Sequence, residues 1–234
     1  MDAKRNQAAR HVFVRELMTA PAVTVTADTP FKEIVDVLLE RNITGVPVVD
    51  GEGRLLGVVT QADLLDKQAY GPQPRRPLSL LSDLLANRDP SWRVKAVAQS
   101  AGDLMTERVV TARPGDDVRH AAHKMMEARV TRLPVVDGDR VVGVLARHDV
   151  LKVFHRPDRA LLDDVRSLLG DALTTPEDHA VTASVRDGVV ILAGDVARPD
   201  DLDLVEAMIW RIPGIVAVEN NAVIRERERE RQRR

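Results

Sequence analysis

Apolar residues recur along this chain with two alternating periods, and the alternation itself repeats. Phe31, Ile34, Val35, Leu38 and Leu39 fall at i, i+3, i+4, i+7 and i+8, the stripe of an amphipathic helix. Val118, Ala121, Ala122, Met125 and Met126 give the same stripe 87 residues on (118 − 31). Thr29-Pro30 reads as an N-cap followed by proline at the first helical position, and Asp116 as the equivalent cap of the second stripe. After each stripe come two short β-rich runs: Val46 to Val49 and Leu55 to Val59, then Leu133 to Val136 and Val141 to Leu145. Asp50-Gly51 and Asp137-Gly138 divide the runs and signal hairpins. Further helices are predicted from near Ala62 and His148. Each module therefore reads β-α-β-β-α.

The repeat is also literal. Ile43-Thr44-Gly45-Val46-Pro47-Val48-Val49-Asp50 returns as Val130-Thr131-Arg132-Leu133-Pro134-Val135-Val136-Asp137, and Leu17-Met18-Thr19 as Leu104-Met105-Thr106. Beyond the hairpin turn the offset drops to 86 (143 − 57), matching Gly57 with Gly143 and Asp63 with Asp149. A duplication of this length predicts two copies of one fold unit, packed together with a site at their junction. Modules are expected over residues 12–67 and 101–153. The connection over 68–100 opens with the irregular Tyr70-Gly71-Pro72-Gln73-Pro74-Arg75-Arg76-Pro77. Within it Ser79 to Leu85 is compatible with a short helix covering either the core or a dimer surface.

A different unit is expected over residues 160–225. Leu161, Leu162, Val165, Leu168 and Leu169 form a helical stripe; Val181 to Val185 alternates like a strand; Asp187-Gly188 is a turn before a second strand from Val189. Leu202, Val205, Ile209 and Ile212 mark another helix, and Ile215 to Ile224 a last strand, giving α-β-β-α-β. His155-Arg156-Pro157 reads as the linker, and residues 226–234 as a solvated charged tail.

Composition narrows the function. The 234 residues are 44% apolar and 30% charged, enough for packed cores with a charged surface, but only 3% aromatic, so packing rests on aliphatic side chains. A net charge of −2 speaks against a dedicated nucleic-acid binder. There is no cysteine, hence no disulfide framework or thiolate site, which fits a cytoplasmic location. No apolar run reaches signal-peptide or membrane-span length. His120 and His123 make half a metal site at most, so no metal is expected. Without a nucleophile–base pair, P-loop or dinucleotide fingerprint, the expectation is not an enzyme. Trp92 and Trp210 are expected as packing anchors.

The duplicated modules resemble a tandem CBS-domain pair (a Bateman module). The resemblance rests on Leu17-Met18-Thr19, Thr44-Gly45-Val46-Pro47-Val48-Val49-Asp50, Leu56-Gly57-Val58-Val59-Thr60 and Asp63-Leu64-Leu65, with their second-copy equivalents. The C-terminal unit resembles a BON domain through Val185 to Gly194 and Ile212-Pro213-Gly214-Ile215-Val216-Ala217-Val218-Glu219-Asn220. The resemblance implies an α+β fold in which two modules pack as a pseudo-twofold pair. It also implies an adenine-containing ligand (AMP, ADP, ATP or S-adenosylmethionine), a homodimer through the CBS modules, and a protein or phospholipid partner for the BON unit. A regulator sensing a nucleotide is expected; the alternative is a dimeric scaffold or membrane-surface adaptor with little or no ligand binding.

In such a pair the ligand is expected at a Ser/Thr-x-x-Asp element, here Thr60-Gln61-Ala62-Asp63. The hydroxyl suits a phosphate oxygen beside a helix N-terminus, and the carboxylate suits the ribose hydroxyls. The same spacing is equally a helix cap. Val23, Ile43, Val46 and Pro47 are candidates to sandwich the adenine, with Val130 and Pro134 their equivalents. In the second copy the element is Ala146-Arg147-His148-Asp149, which keeps Asp149 but lacks the hydroxyl; Arg147 is a substitute phosphate contact. Arg132, standing where the first copy has Gly45, is either another phosphate contact or an exposed surface arginine. Two unequal sites are expected, the Thr60/Asp63 site being the stronger.

Overall fold

The computed structural model describes residues 11–70, 98–172, 180–196 and 199–224. The helix expected over 79–85, Arg75-Arg76, Trp92 and the tail over 226–234 lie outside them. In chain order the first copy contains α1 (Val14–Leu17), β1 (Val25–Thr26), α2 (Phe31–Glu40), β2 (Gly45–Val49), β3 (Leu55–Thr60) and α3 (Gln61–Tyr70). The second contains α4 (Ala101–Leu104), α5 (Val118–Glu127), β4 (Arg132–Asp137), β5 (Arg140–Ala146) and α6 (Arg147–Leu151). A 3-10 turn (Lys152–His155) leads to α7 (Asp158–Ala172), β6 (Ala180–Arg186), β7 (Val189–Val196), α8 (Pro199–Ile209) and β8 (Ala217–Ile224). The architecture is α+β. It divides into two compact units, one holding Met18–Asp116 and Lys124–Ala146, the other Asp117–His123 with the chain up to Leu17 and the chain from Arg147.

In the first unit the duplication extends to single hydrogen-bond partners. Val25 pairs in parallel with Val48, and its equivalent Ala112 pairs in parallel with Val135. Both hairpins are antiparallel, Gly45 facing Thr60 and Arg132 facing Ala146, and both shift register at the same place, between Val48 and Val49 and between Val135 and Val136.

The copies also exchange segments. Thr19 of the first copy bridges to Val144 of the second, with hydrogen bonds of 2.9 and 3.0 Å; Thr106 of the second bridges to Val58 of the first, with bonds of 3.0 and 3.1 Å. The hairpin ends meet too, Leu55 N–H donating to the Asp139 carbonyl and Val141 N–H to that of Gly53. These reciprocal bonds are the pseudo-twofold in chemical form. They explain the matched glycines: a Cβ on Gly57 would lie 2.8 Å from Met105 Sδ and 2.9 Å from the Thr106 carbonyl oxygen, and one on Gly143 2.8 Å from Met18 Sδ and 3.0 Å from the Thr19 oxygen. Each thioether occupies the space a side chain would fill.

The helix ends differ from expectation. Pro30, not Thr29, is the N-cap of α2; the Thr29 hydroxyl instead accepts from Thr26 N–H at 3.0 Å. Its counterpart Asp116 likewise accepts from Arg113 N–H at 3.0 Å, closing the turn before α5, while Asp117 accepts from Arg119 N–H at 2.8 Å. A turn at N′ satisfies a nearer donor than the helix would. Both helices end in Schellman-type caps, with Asn42 and Arg129 at φ of 50° and 55°. Ile43 N–H returns to the Leu38 carbonyl and Val130 N–H to that of Met125, each at 3.0 Å. The stripes bury Ile34 and Leu38, and Val118, Ala121 and Met125. Their last members do not join the core: Leu39 and Met126 are each 70% exposed.

The C-terminal sheet has the order β6-β7-β8, β6 and β7 forming a hairpin and β8 returning parallel to β7 after α8. Asp187 and Gly188 both have positive φ, 52° and 75°, as a type I′ turn requires. Leu161, Val165, Leu168, Val190, Leu192, Val205, Ile209 and Ile212 fill the core. Trp210 is not the expected anchor; it follows buried Ile209 and is 49% exposed. Among the described residues no helix is long and apolar enough to cross a membrane.

Candidate functional site

A cavity of about 660 Å³ opens within the first unit, inside the size range of small-molecule sites. One wall is the β3–α3 junction, Thr60 to Asp63. Facing it are Thr106 and Arg108 to Val110, carried over by segment exchange, and Ala128 to Arg132 with Pro134 from the end of α5 and the start of β4. The exchange therefore seats the first copy's hydroxyl–carboxylate pair opposite the second copy's apolar and basic residues.

Thr60 and Asp63 form the cap that their spacing allows. Asp63 Oδ2 accepts from Thr60 N–H and from Thr60 Oγ1–H, each at 2.7 Å, and Asp63 is only 8% exposed. Ser100 and Asp103 make the same box at the start of α4, the Ser100 hydroxyl donating to Asp103 at 2.9 Å. A capping box is thus not diagnostic of a ligand in this chain. What distinguishes Thr60 and Asp63 is the cavity they border.

Arg132 contradicts the surface-arginine alternative. Its guanidinium lies across Gly45, where a Cβ would be 2.8 Å from Arg132 Nη1. Burial lowers its pKa, and its Nε is buried with no hydrogen-bond partner among the described residues. A guanidinium stays charged in proteins, so this is a partly desolvated cation on a cavity wall. Arg108 and Arg129 add two exposed cations to the same walls, against the one carboxylate of Asp63. The left-handed φ of 55° at Arg129 turns Val130 to Arg132 into the wall.

Of the expected residues, the structure brings together Thr60, Asp63, Val130, Arg132 and Pro134. Val46 is completely buried in the first copy's core, Val23 and Ile43 pack partly buried against it, and Pro47 is buried in β2 opposite Val58. None of these four lines this cavity; Val110, Val130 and Pro134 stand there instead, each the equivalent of Val23, Ile43 or Pro47 at an offset of 87 (110 − 23). Sequence reasoning missed Arg108, Val109, Val110, Ala128 and Arg129; crossing the copies at the same offset supplies Val110 from Val23, whereas the other four correspond to Pro21, Ala22, Arg41 and Asn42, which carry no ligand signal. Arg147 and Asp149 belong to the second unit. There Arg147 is exposed at the start of α6, and Asp149, 6% exposed, accepts from Lys152 Nζ at 2.7 Å. His120 and His123 are both exposed on α5, and no group of three or more His, Cys, Asp or Glu among the described residues is placed to hold a metal.

The CBS domain family matches residues 14–70 and 101–156, and the BON domain family residues 157–226. This is a tandem CBS pair followed by a BON domain. The CBS pair is similar to the chloroplastic CBS domain-containing protein CBSX2 of Arabidopsis thaliana, 30% identical over 138 residues, covering 55% of this chain and 56% of that protein. The chain is also similar to an inosine-5′-monophosphate dehydrogenase of Methanocaldococcus jannaschii, 28% identical over 192 residues, covering 82% of this chain and 33% of the enzyme. The chain thus spans little more than half of one curated relative and a third of the other. A crystal structure of CBSX2 in complex with AMP matches 60% of this chain and 94% of that one, at 29% identity and a TM-score of 0.50.

Proposed function

We propose that the CBS pair is a non-catalytic sensor that takes a phosphate-bearing adenine nucleotide into the Thr60/Asp63 cavity. The observation that carries this is Arg132, a desolvated cation on the wall opposite a buried carboxylate. Asp63 is assigned to the ribose hydroxyls, Thr60 and Arg132 to phosphate, and Val110, Val130 and Pro134 to the base. The likeness to CBSX2, crystallised with AMP, supports the ligand class. Three arginines around one carboxylate favour AMP, ADP or ATP over S-adenosylmethionine, whose sulfonium adds positive charge. The cleft of Arg147 and Asp149 is assigned the weaker affinity, since Ala146 offers no hydroxyl.

Calorimetric titration tests this. Losing a hydrogen bond to a charged group costs about 1.5–3 kcal/mol, so Asp63→Ala and Arg132→Ala should each weaken nucleotide binding about tenfold or more. Equal losses from Asp63→Ala and Asp149→Ala would overturn the asymmetry. Preference for S-adenosylmethionine over ATP would overturn the charge assignment. For quaternary structure we propose a homodimer through the faces that expose Leu39 and Leu65, and their equivalents Met126 and Leu151; these four are 61–70% exposed. Leu39 and Leu65 border an open apolar depression of about 880 Å³ between α2 and α3.

A further inference from the structure

We propose that the segment joining α6 to α7 is a splint that carries the state of the second CBS copy's last helix into the BON domain. The signal rests on the nucleotide reading above; the mechanical linkage does not. His155-Arg156-Pro157 has the composition of a free linker, but the flanking residues are bound at successive points. The Val153 carbonyl lies 2.5 Å from where a Cβ on Gly214 would be, so it sits directly on that residue's backbone. Gly214 holds a φ of 100°, a conformation that closes around the contact and that glycine alone adopts readily. Arg156 Nη1 donates to the Pro213 carbonyl at 2.8 Å and Nη2 to Asp164 at 2.6 Å, with the Arg156 side chain only 15% exposed. Asp158 then accepts from the Asp187 and Gly188 amides at 2.7 and 2.9 Å, seizing the β6–β7 turn. The Gly188 carbonyl in turn accepts from Val216 N–H at 2.9 Å.

At the other end of the splint, Lys152 is paired with Asp149 on α6. From Asp149 to the BON turns the chain therefore runs through consecutive short elements, each fastened by a charge-assisted bond or a backbone contact. A free tether would let the BON domain ignore events at Asp149. A segment fixed at Val153, Arg156 and Asp158 does not, because displacing α6 must strain or release the Pro213-Gly214 and Asp187-Gly188 turns. Coupling of this kind is reciprocal: what the BON domain binds must also change affinity at Asp149.

Hydrogen exchange of the full chain, read at the Asp187, Gly188 and Val216 amides, tests the proposal. Asp149→Asn, without nucleotide, should change their exchange at least threefold in the wild-type background and not in Arg156→Ala. AMP should change the same amides at least threefold in wild type and leave them unmoved in Arg156→Ala, which still binds AMP by calorimetry. If Arg156→Ala melts the BON core, seen as unprotected Val190 and Leu192 amides, Asp164→Asn takes its place. Unchanged amides in the Asp149→Asn protein, or changes that persist after Arg156→Ala, overturn the splint. Absence of AMP binding to any form overturns the nucleotide reading, with the Asp149→Asn comparison still deciding the linkage.

Discussion

Adding one methyl group at Gly57 should cost this protein more than its size suggests. The Cβ of Gly57→Ala falls 2.9 Å from the Thr106 carbonyl oxygen and 2.8 Å from Met105 Sδ. The thioether is flexible and can retreat. The carbonyl cannot, because it accepts from Val58 N–H at 3.1 Å, the bond that ties the second copy's crossing segment to β3. Relieving the overlap therefore pulls on that bridge. Overpacking costs about 1–3 kcal/mol and the weakened bond about 0.5–1.5, while removing glycine's freedom from the unfolded chain returns about 0.4–1, leaving a net loss near 2 kcal/mol. Gly51→Ala is the control, since nothing lies within 4 Å of its Cβ, and it should be neutral or slightly stabilising. Urea unfolding followed by circular dichroism gives the difference, and exchange at the Val58 amide localises it. Met105→Ala in the Gly57→Ala background should recover only part of the loss, because the carbonyl contact remains. If Gly57→Ala and Gly51→Ala agree within about 0.5 kcal/mol, or if Met105→Ala rescues completely, the claim that the backbone bridge sets the limit is wrong; such a gap is well above the usual scatter for surface changes.

Two more outcomes follow from the same geometry. Arg129→Gly relieves a left-handed conformation that costs a side-chain-bearing residue about 1–2 kcal/mol; unfolding should show a more stable protein, and nucleotide titration a weaker binder, because a wall cation is gone. Leu39→Glu places a charge on the proposed dimer face, and light scattering at matched concentration should report monomers, with far-UV circular dichroism unchanged because Leu39 is already 70% exposed.

The local plan of the fold was legible because it is written in short-range pattern. The stripes from Phe31 and Val118, the Asp-Gly turns and the β-rich runs each depend on neighbours a few residues away, and β2 to β5 fall where those runs predicted. What the pattern does not carry is which copy a segment joins. Thr19 and Val144 are 125 positions apart (144 − 19), and nothing in the periodicity of either announces the other. The site inherits the same blindness. Thr60 and Asp63 follow from the CBS resemblance, their spacing alone reading equally as a helix cap. The resemblance offers apolar partners in both copies, at Val23, Ile43, Val46 and Pro47 and at Val130 and Pro134, and no short-range pattern tells which of them the segment exchange carries to the cavity. Helix starts misled for a different reason: Thr29 and Asp116 are good caps by type, yet each is consumed by the turn before its helix. Solvent-facing stripe ends such as Leu39 and Met126 look like core to a periodicity count, which registers the face of a helix but not how wide its neighbour is.

Gly45 and Arg132 descend from one position of a duplicated module, and in the folded chain they press against each other. Two residues with a shared ancestry therefore compete for a single volume. A chain with arginine at both places would ask one space to hold two guanidiniums; a chain with glycine at both would leave that space unfilled and the Thr60/Asp63 cavity without this cation. Perfect internal symmetry is thus the one arrangement this contact forbids for a pair that wants a charge there. An arginine placed at position 45 therefore needs position 132 emptied first, so this point of the fold holds one guanidinium or the other and never both.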